Sequence, residues 1–548
     1  MLNLKNAYFY FLAIKINLIK QLKKIYFTTK FYNNSLNSRA PDQLYFHPNT
    51  FLLSSLTNHK SFSFKLENID KDLFLENKKN KSNNNSLHNF LWLNLIDRKI
   101  DNKNLKRIIS IWIYKNSTYK KVVWDNSVLS KRVISWILNS DIILKDSDLF
   151  FKQNFFRIII KQVNHLKKNI KFEDNYLKKV EIITAILLSG LVFKEYSENY
   201  EHGLKELEKL IIKFFDEEGY PINKNPIDLI EISKFLIIIK ECIKDAQEYT
   251  PEYLDEIIDK NLNCVKSITT PTNQIPLFHG ATEINIDQFI KYIETLGYKM
   301  KKNKNLIGNL QSIKNKKHCI YFDVGAPPKK NFSTNYQSGP LSFEYYLDNE
   351  KIITNCGFGS NISKKAMLLS RLTSAQSTLS INDNSVVKFE RNKLINSAFG
   401  NSIKNSFKLT DYNFTDKAEE IQCSAKHNAY EKDFSCVVRR EIKIDKINNN
   451  FLGADEFFRS KSDKIIKFSI RFHLYPGLNA VKTIGGNSVV IQVKKNKSLL
   501  FECFDQDISI EKSIFLGRNK ILNNLCIHIS GNMTNNYKKI NWLIKKNI

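Results

Sequence analysis

The chain has 548 residues, 42% hydrophobic and 25% charged, which excludes a disordered or fibrous chain and is too long for one hydrophobic core, so two or three domains are expected. The formal net charge is +29, but the Lys, Asn, Ile and Phe behind it are spread along the whole sequence. Diffuse charge without a recognition motif predicts no nucleic-acid partner.

The N-terminus begins MLNLKNAYFYFLAIKINLIKQLKK. Lys15 interrupts its apolar run and no small-residue cleavage site follows closely, so an export signal is not clear. The spacing predicts an amphipathic helix with Leu12, Ile16 and Ile19 on one face and Lys15, Lys20 and Lys23 around it. Such a helix would make peripheral contact with a membrane surface or dock on the protein. No run of eighteen apolar residues occurs, so no transmembrane helix is expected. SRAPDQLYFHP reads as extended chain, and the Lys/Asn/Ser tract Asn80–Ser86 as a loop or hinge.

From about Asn104 to Lys266 apolar residues recur every three or four positions, as in SVLSKRVISWILNS and LKKVEIITAILLSGLVF. Asn225 before Pro226, and Thr250 before Pro251, place a cap ahead of a proline at the first helical position. Short links favour antiparallel helix pairs, arranged as a closed double ring, a bundle or an open solenoid. After about Lys304 the period changes to two. HCIYFDVG, GPLSFEYYL, KIITNCG, VVKFE, SCVVRREIKID, IIKFSIRFHLYPG and the segments after them predict a large antiparallel sandwich.

The eight cysteines include no CxxC pair, which argues against a zinc ribbon or a thioredoxin-like motif. The ten histidines include no HxxxH pair.

The most informative stretch runs from Tyr321 to Ser385: YFDVGAPPKKNFSTNYQSGPLSFEYYLDNEKIITNCGFGS, then RLTSAQSTLSINDNS. It resembles the opening of the C-terminal domain of the heparinase II/III family of polysaccharide lyases. DEEGYPINKNP, LFHGATE, KHNAYEKDF and IRFHLYPG are similar to further family segments, in the same order over roughly residues 100 to 530. The resemblance implies an α+β multidomain chain, an N-terminal (α/α) toroid of helix pairs followed by a large C-terminal antiparallel β-sandwich. The boundaries expected are an N-terminal helix and linker over 1–90, the toroid over 91–296 and the β domain over 297–548. The implied partner is an acidic, uronate-containing polysaccharide held between the domains and cut by β-elimination. The implied setting is the cell envelope or periplasm, with a cytoplasmic location also open.

β-Elimination needs a group to neutralise the uronate carboxylate, a base for the neighbouring proton and an acid for the leaving oxygen. Tyr336, Tyr430, His427 and His473 are the candidates for proton transfer. Tyr336 would serve as base or acid if a nearby Lys or Arg lowered its pKa. Tyr220, Asn223, Lys224, Asn225, His279, Asn335, Arg371 and Arg471 are candidates for binding substrate. A turn histidine at His427, a helix cap at Asn225 and a solvated sheet face at Arg471 and His473 are open alternatives. The resemblance also implies a structural zinc held by His and Asp. Here Asn335 stands where a catalytic His is common, and Gln337, Asn355 and Gln376 stand where His or Asp would hold the metal. Neutral amides are poor zinc ligands, so no metal is expected, and the three amides could hydrogen-bond one another instead. Loss of that set leaves a second function open, a non-catalytic glycan-binding or envelope-assembly protein that keeps the lyase fold.

Overall fold

The computed structural model describes residues 4–57, 74, 81–98, 102–302, 304–460, 465–494 and 497–546. Helices occupy the N-terminal part and antiparallel sheets the C-terminal part.

The central helix of the first part is Tyr176–Val192, buried continuously from Val180 to Val192. A helix apolar all round must be covered on every side. It packs against Asn126–Leu138, Leu149–Asn169, Glu198–Phe214 and Pro226–Asp245. Asp125, Asp148, Asn175 and Asn225 cap the starts of four of these helices, each accepting from a backbone N–H of the first turn. At Glu252–Ile268 the expected cap at Thr250 is corrected. Pro251 holds the cap position and no side chain bonds the first turn. The expected loop over Asn80–Ser86 is also corrected, because Lys81–His88 is a helix and Asn80 lies outside the described residues.

Among the described residues two antiparallel sheets follow. One has nine strands and runs from Leu306–Ile307 through His318–Asp323, Phe343–Leu347 and Glu350–Thr354 to Ile466–Leu474, Leu522–Met533 and Ile508–Phe515. The other has eight, with Asn450–Arg459 between Cys436–Asp445 and Tyr537–Lys546. Period two decides what each face meets. Ile320, Phe322 and Tyr345 fill the core between the sheets, whereas Cys319, Tyr321 and Tyr346 join the helical core on the opposite face. The nine-stranded sheet is thus sandwiched between helices and the second sheet. VVKFE forms no strand, and Phe389 makes only an isolated bridge to Ile403.

Among the described residues no helix is long and apolar enough to cross a membrane.

Candidate functional site

The seam between helices and sheets gathers polar groups from four segments of the chain. Lys224 and Asn225 sit at the turn into Pro226–Asp245, His279 in the loop after the last long helices, Asp323 at the end of His318–Asp323, and Tyr336 beyond it. Lys224 and His279 adopt positive φ, +63° and +48°, which holds their side chains at angles that regular helix or strand would not give. All five residues are buried.

Asp323 is the hub. Its Oδ2 lies 3.1 Å from His279 Nε2, and its Oδ1 accepts a hydrogen bond from Gly325 N at 3.0 Å. A Cβ at Gly325 would stand 2.2 Å from Lys224 Nζ and 3.2 Å from Asp323 Oδ1. Only glycine therefore lets the ammonium and the carboxylate approach the same stretch of backbone. The His279 ring stacks on Tyr336, with centroids 4.9 Å apart and planes 13° apart. Gly280, at φ +106°, lies against Asn335 and Asn225, and a Cβ there would be 2.9 Å from Asn335 Cβ. Lys224 Nζ, His279 Nδ1, Tyr336 Oη and His427 Nε2 are buried with no hydrogen-bond partner in the protein. Unpaired buried polar groups are costly, so several at one seam mark a place where fold stability is not the only constraint.

Electrostatics sort these groups. Burial pushes the Tyr336 hydroxyl well above its ordinary range, and the Asp323 charge adds to the rise. The lowered pKa on which a role for Tyr336 was conditional is therefore not met, and the hydroxyl stays protonated. Burial lowers Lys224, with Asp323 and Asp216 opposing. Burial holds His427 at about 3, helped by the Arg440 charge and opposed by Asp323, so its imidazole is neutral. Tyr220 is also pushed well above its ordinary range by burial, and its ring lies against Gly308. Asn223 Nδ2 donates to Asp228 at 2.6 Å and orders the turn that presents Lys224.

Two adjoining cavities of about 500 Å³ each open beside this cluster. They share Asp216, Leu306, Gly308, Asn309 and Tyr412, and Lys224 lines the second.

The remaining sequence candidates are held elsewhere. His473 has both ring nitrogens engaged, Nδ1 with Ser513 Oγ at 2.9 Å and Nε2 with the Ser374 carbonyl at 3.0 Å. Arg471 lies 3.4 Å from Asp383. Tyr430 donates its hydroxyl to the Asn384 carbonyl at 2.8 Å. Arg371 is buried and donates to the carbonyls of Tyr336, Asn401 and Ser333, clamping the loop that carries Tyr336. Arg371 thus positions the site without lining it, and the structure does not bring Arg471, His473 or Tyr430 into the cluster. Asp323 was the member that sequence reasoning missed. In the alternating segment HCIYFDVG it carries only the mark of a strand residue.

Gln337, Asn355 and Gln376 do not hydrogen-bond one another, contrary to expectation. Gln337 accepts from Gly280 N at 3.0 Å and donates to Ser370 O at 2.8 Å and Gly357 O at 3.2 Å. Gln376 donates to the same Ser370 carbonyl at 2.8 Å. Asn355 accepts from Ser377 N at 3.0 Å. The amides answer backbone groups, which are closer to hand in these tight loops than another side chain. The nearby Cys356 thiol is pushed up to about 12 by burial. A protonated thiol and amide N–H groups turned toward carbonyls do not fit a zinc ion. Among the described residues no group of three or more His, Cys, Asp or Glu could hold a metal.

Residues 306–543 match the family model described as heparinase II/III-like, C-terminal. This region is a heparinase II/III-like domain. The whole architecture, helices before the heparinase II/III-like sheets, is similar to the crystal structure of heparan sulfate lyase HepC from Pedobacter heparinus, with a TM-score of 0.64, 14% identity, and coverage of 91% of this chain and 82% of that one. It is also similar to heparinase III, with a TM-score of 0.67, 14% identity, and coverage of 89% and 80%. At such identity the likeness shows the fold, a helical toroid followed by a β-sandwich. FtsZ-localized protein C of Caulobacter vibrioides is 20% identical over 436 residues, 75% of this chain and 72% of that protein.

Proposed function

We propose that the protein acts on an acidic, uronate-containing polysaccharide at the seam, by β-elimination without a metal. The observation that carries this reading is the set of unpartnered polar atoms around Asp323. Lys224 supplies the cation that neutralises the uronate carboxylate, with Asn225 beside it. In the tautomer that keeps the His279 proton on Nε2, facing Asp323, the Nδ1 lone pair is free to remove the proton next to the carboxylate. Tyr336, stacked on His279 and held protonated, gives its proton to the leaving glycosidic oxygen as that C–O bond breaks and the C=C bond forms.

A second reading keeps the fold but not the chemistry, as a glycan-binding or envelope-assembly protein. The complete burial of Tyr336, and the carboxylates Asp216 and Glu218 lining the cavities, favour it. The likeness to an FtsZ-localized protein adds to that support.

The test is ultraviolet absorbance of the purified protein with heparan-type, chondroitin-type, alginate and bacterial extracellular glycans, with and without zinc. A zinc-independent rise from the conjugated product on any of them supports the lyase reading. Binding with no rise on any glycan supports the second.

A further inference from the structure

Helix Leu4–Phe27 is joined to the β region along one face. Ala13 is buried with Ile395 and Ala398, and Ile16 and Phe399 pack around them. Asn17 Nδ2 donates to Leu394 O at 3.0 Å. Lys20 Nζ donates to Ser397 O at 3.0 Å and Ala398 O at 3.1 Å, at the end of helix Lys393–Phe399. These contacts fix which way the helix faces and use up its inner side.

The other side is apolar and open. Phe11, Ile14, Leu18, Leu22 and Ile25 are exposed by 52–67%. Their spacing of three and four residues places them in one stripe along about 21 Å of helix. The helix contains five lysines and no Asp or Glu. Lys15 and Lys24 are exposed along it. A cavity of about 910 Å³ along its inner flank adds Lys171 and Lys393 to Lys20, Lys23 and Lys24, against the single carboxylate Asp174.

We propose that this outer face lies on an anionic membrane surface, the apolar stripe in the headgroup boundary and the exposed Lys15 and Lys24 on lipid phosphates. An amphipathic helix with apolar side chains on one face and only cations among its charges has the composition of an interfacial helix. Charge argues against a second copy as the occupant, because pairing two such faces would bring lysines against lysines. The proposal does not depend on any activity at the seam.

The test is cosedimentation of the full chain with phosphatidylcholine vesicles, with and without phosphatidylglycerol, at low and high salt. Binding is expected only with phosphatidylglycerol, weakening as salt rises. The variant Leu18→Glu/Leu22→Glu should lose at least about tenfold in binding while its circular dichroism and melting temperature are unchanged. Lys15→Glu/Lys24→Glu should bind more weakly with the stripe intact. No binding to anionic vesicles, or equal binding by the leucine variant, overturns the proposal. So does self-association that the leucine variant abolishes without any vesicle binding by the parent chain.

Discussion

His279 and Tyr336 stack ring on ring at 4.9 Å across the seam, one from the loop that closes the helical part and one from the opening of the β region. The Tyr336 hydroxyl has no partner in the resting fold, so the fold does not depend on it. Tyr336→Phe is expected to leave the melting temperature unchanged or slightly raised, and to lower turnover by about 10²–10⁴-fold if Tyr336 is the general acid. Steady-state rates beside a thermal melt check both halves. Retained turnover would remove Tyr336 from the mechanism.

Lys224 tests the same trade between stability and function from the helical side. A buried ammonium without a hydrogen-bond partner is a stability cost. Lys224→Met keeps the stem and removes the charge, so it should raise stability by about 1 kcal/mol or more while weakening glycan binding at least about tenfold. Calorimetry of binding alongside chemical denaturation measures both. A destabilised Lys224→Met protein would mean that the ammonium already serves the fold, through the Asp323 charge.

Gln337 makes three hydrogen bonds, one to Gly280 N across the seam and two, to Gly357 O and Ser370 O, within the β region. Gln337→Ala leaves the buried Gly280 N unpaired, while Ser370 O keeps Gln376 and Gly357 O keeps the Cys356 thiol, and should cost about 1–3 kcal/mol. If the amide has taken over the structural part of a metal ligand, chelators should change neither activity nor stability of the parent chain. Urea denaturation with and without EDTA gives both answers, and a melting temperature that falls with EDTA contradicts the amide reading.

Much of the architecture was legible because period carries burial. LKKVEIITAILLSGLVF is apolar on every side and became the central helix. SCVVRREIKID alternates and became a strand whose residues alternate between buried and half-buried. Local signals failed where tertiary contacts decide. VVKFE has strand composition but lacks a neighbour to pair with beyond one bridge. The tract before Leu87 is polar, yet it forms a helix whose end brings the His88 ring against Phe74 and within 3.1 Å of Trp112 Nε1. The site was half legible. Motif order pointed to Lys224, His279 and Tyr336, but a lone Asp at a strand end carries no sequence mark of being the group on which three others converge. Alternation correctly placed Arg471 and His473 on one side of their strand. It could not show that Ser374 and Ser513 cover His473 there.

The buried pair Arg440 and Asp455 joins neighbouring strands of the eight-stranded sheet. Arg440 Nε donates to Asp455 Oδ1 at 2.7 Å and its Nη2 to Oδ2 at 2.9 Å. Its Nη1 reaches the carbonyls of Leu341 and Ser377, and Trp542 Nε1 donates to Asp455 at 3.0 Å. Asp455→Ala strands a fully buried guanidinium and should cost about 3–5 kcal/mol. Equilibrium denaturation checks this, and a loss below about 1 kcal/mol would show that the loop carbonyls alone satisfy Arg440.

Buried histidines set the acid limit of the fold. Burial lowers His473, His88 and His318 from the ordinary 6.5 to about 4. The unfolded chain therefore takes up protons that the folded chain refuses, and stability must fall as pH drops below 6.5 toward 4. Above 6.5 these groups are neutral in both states and contribute no slope. For His473, with both ring nitrogens already engaged, the loss is up to about 3 kcal/mol. Melting temperatures measured in steps from pH 7.5 to 4 should be flat above about 6.5 and decline below it. In His473→Gln the decline should be shallower, because the substituted side chain does not titrate. An unchanged slope in that variant would assign the acid lability to the other histidines.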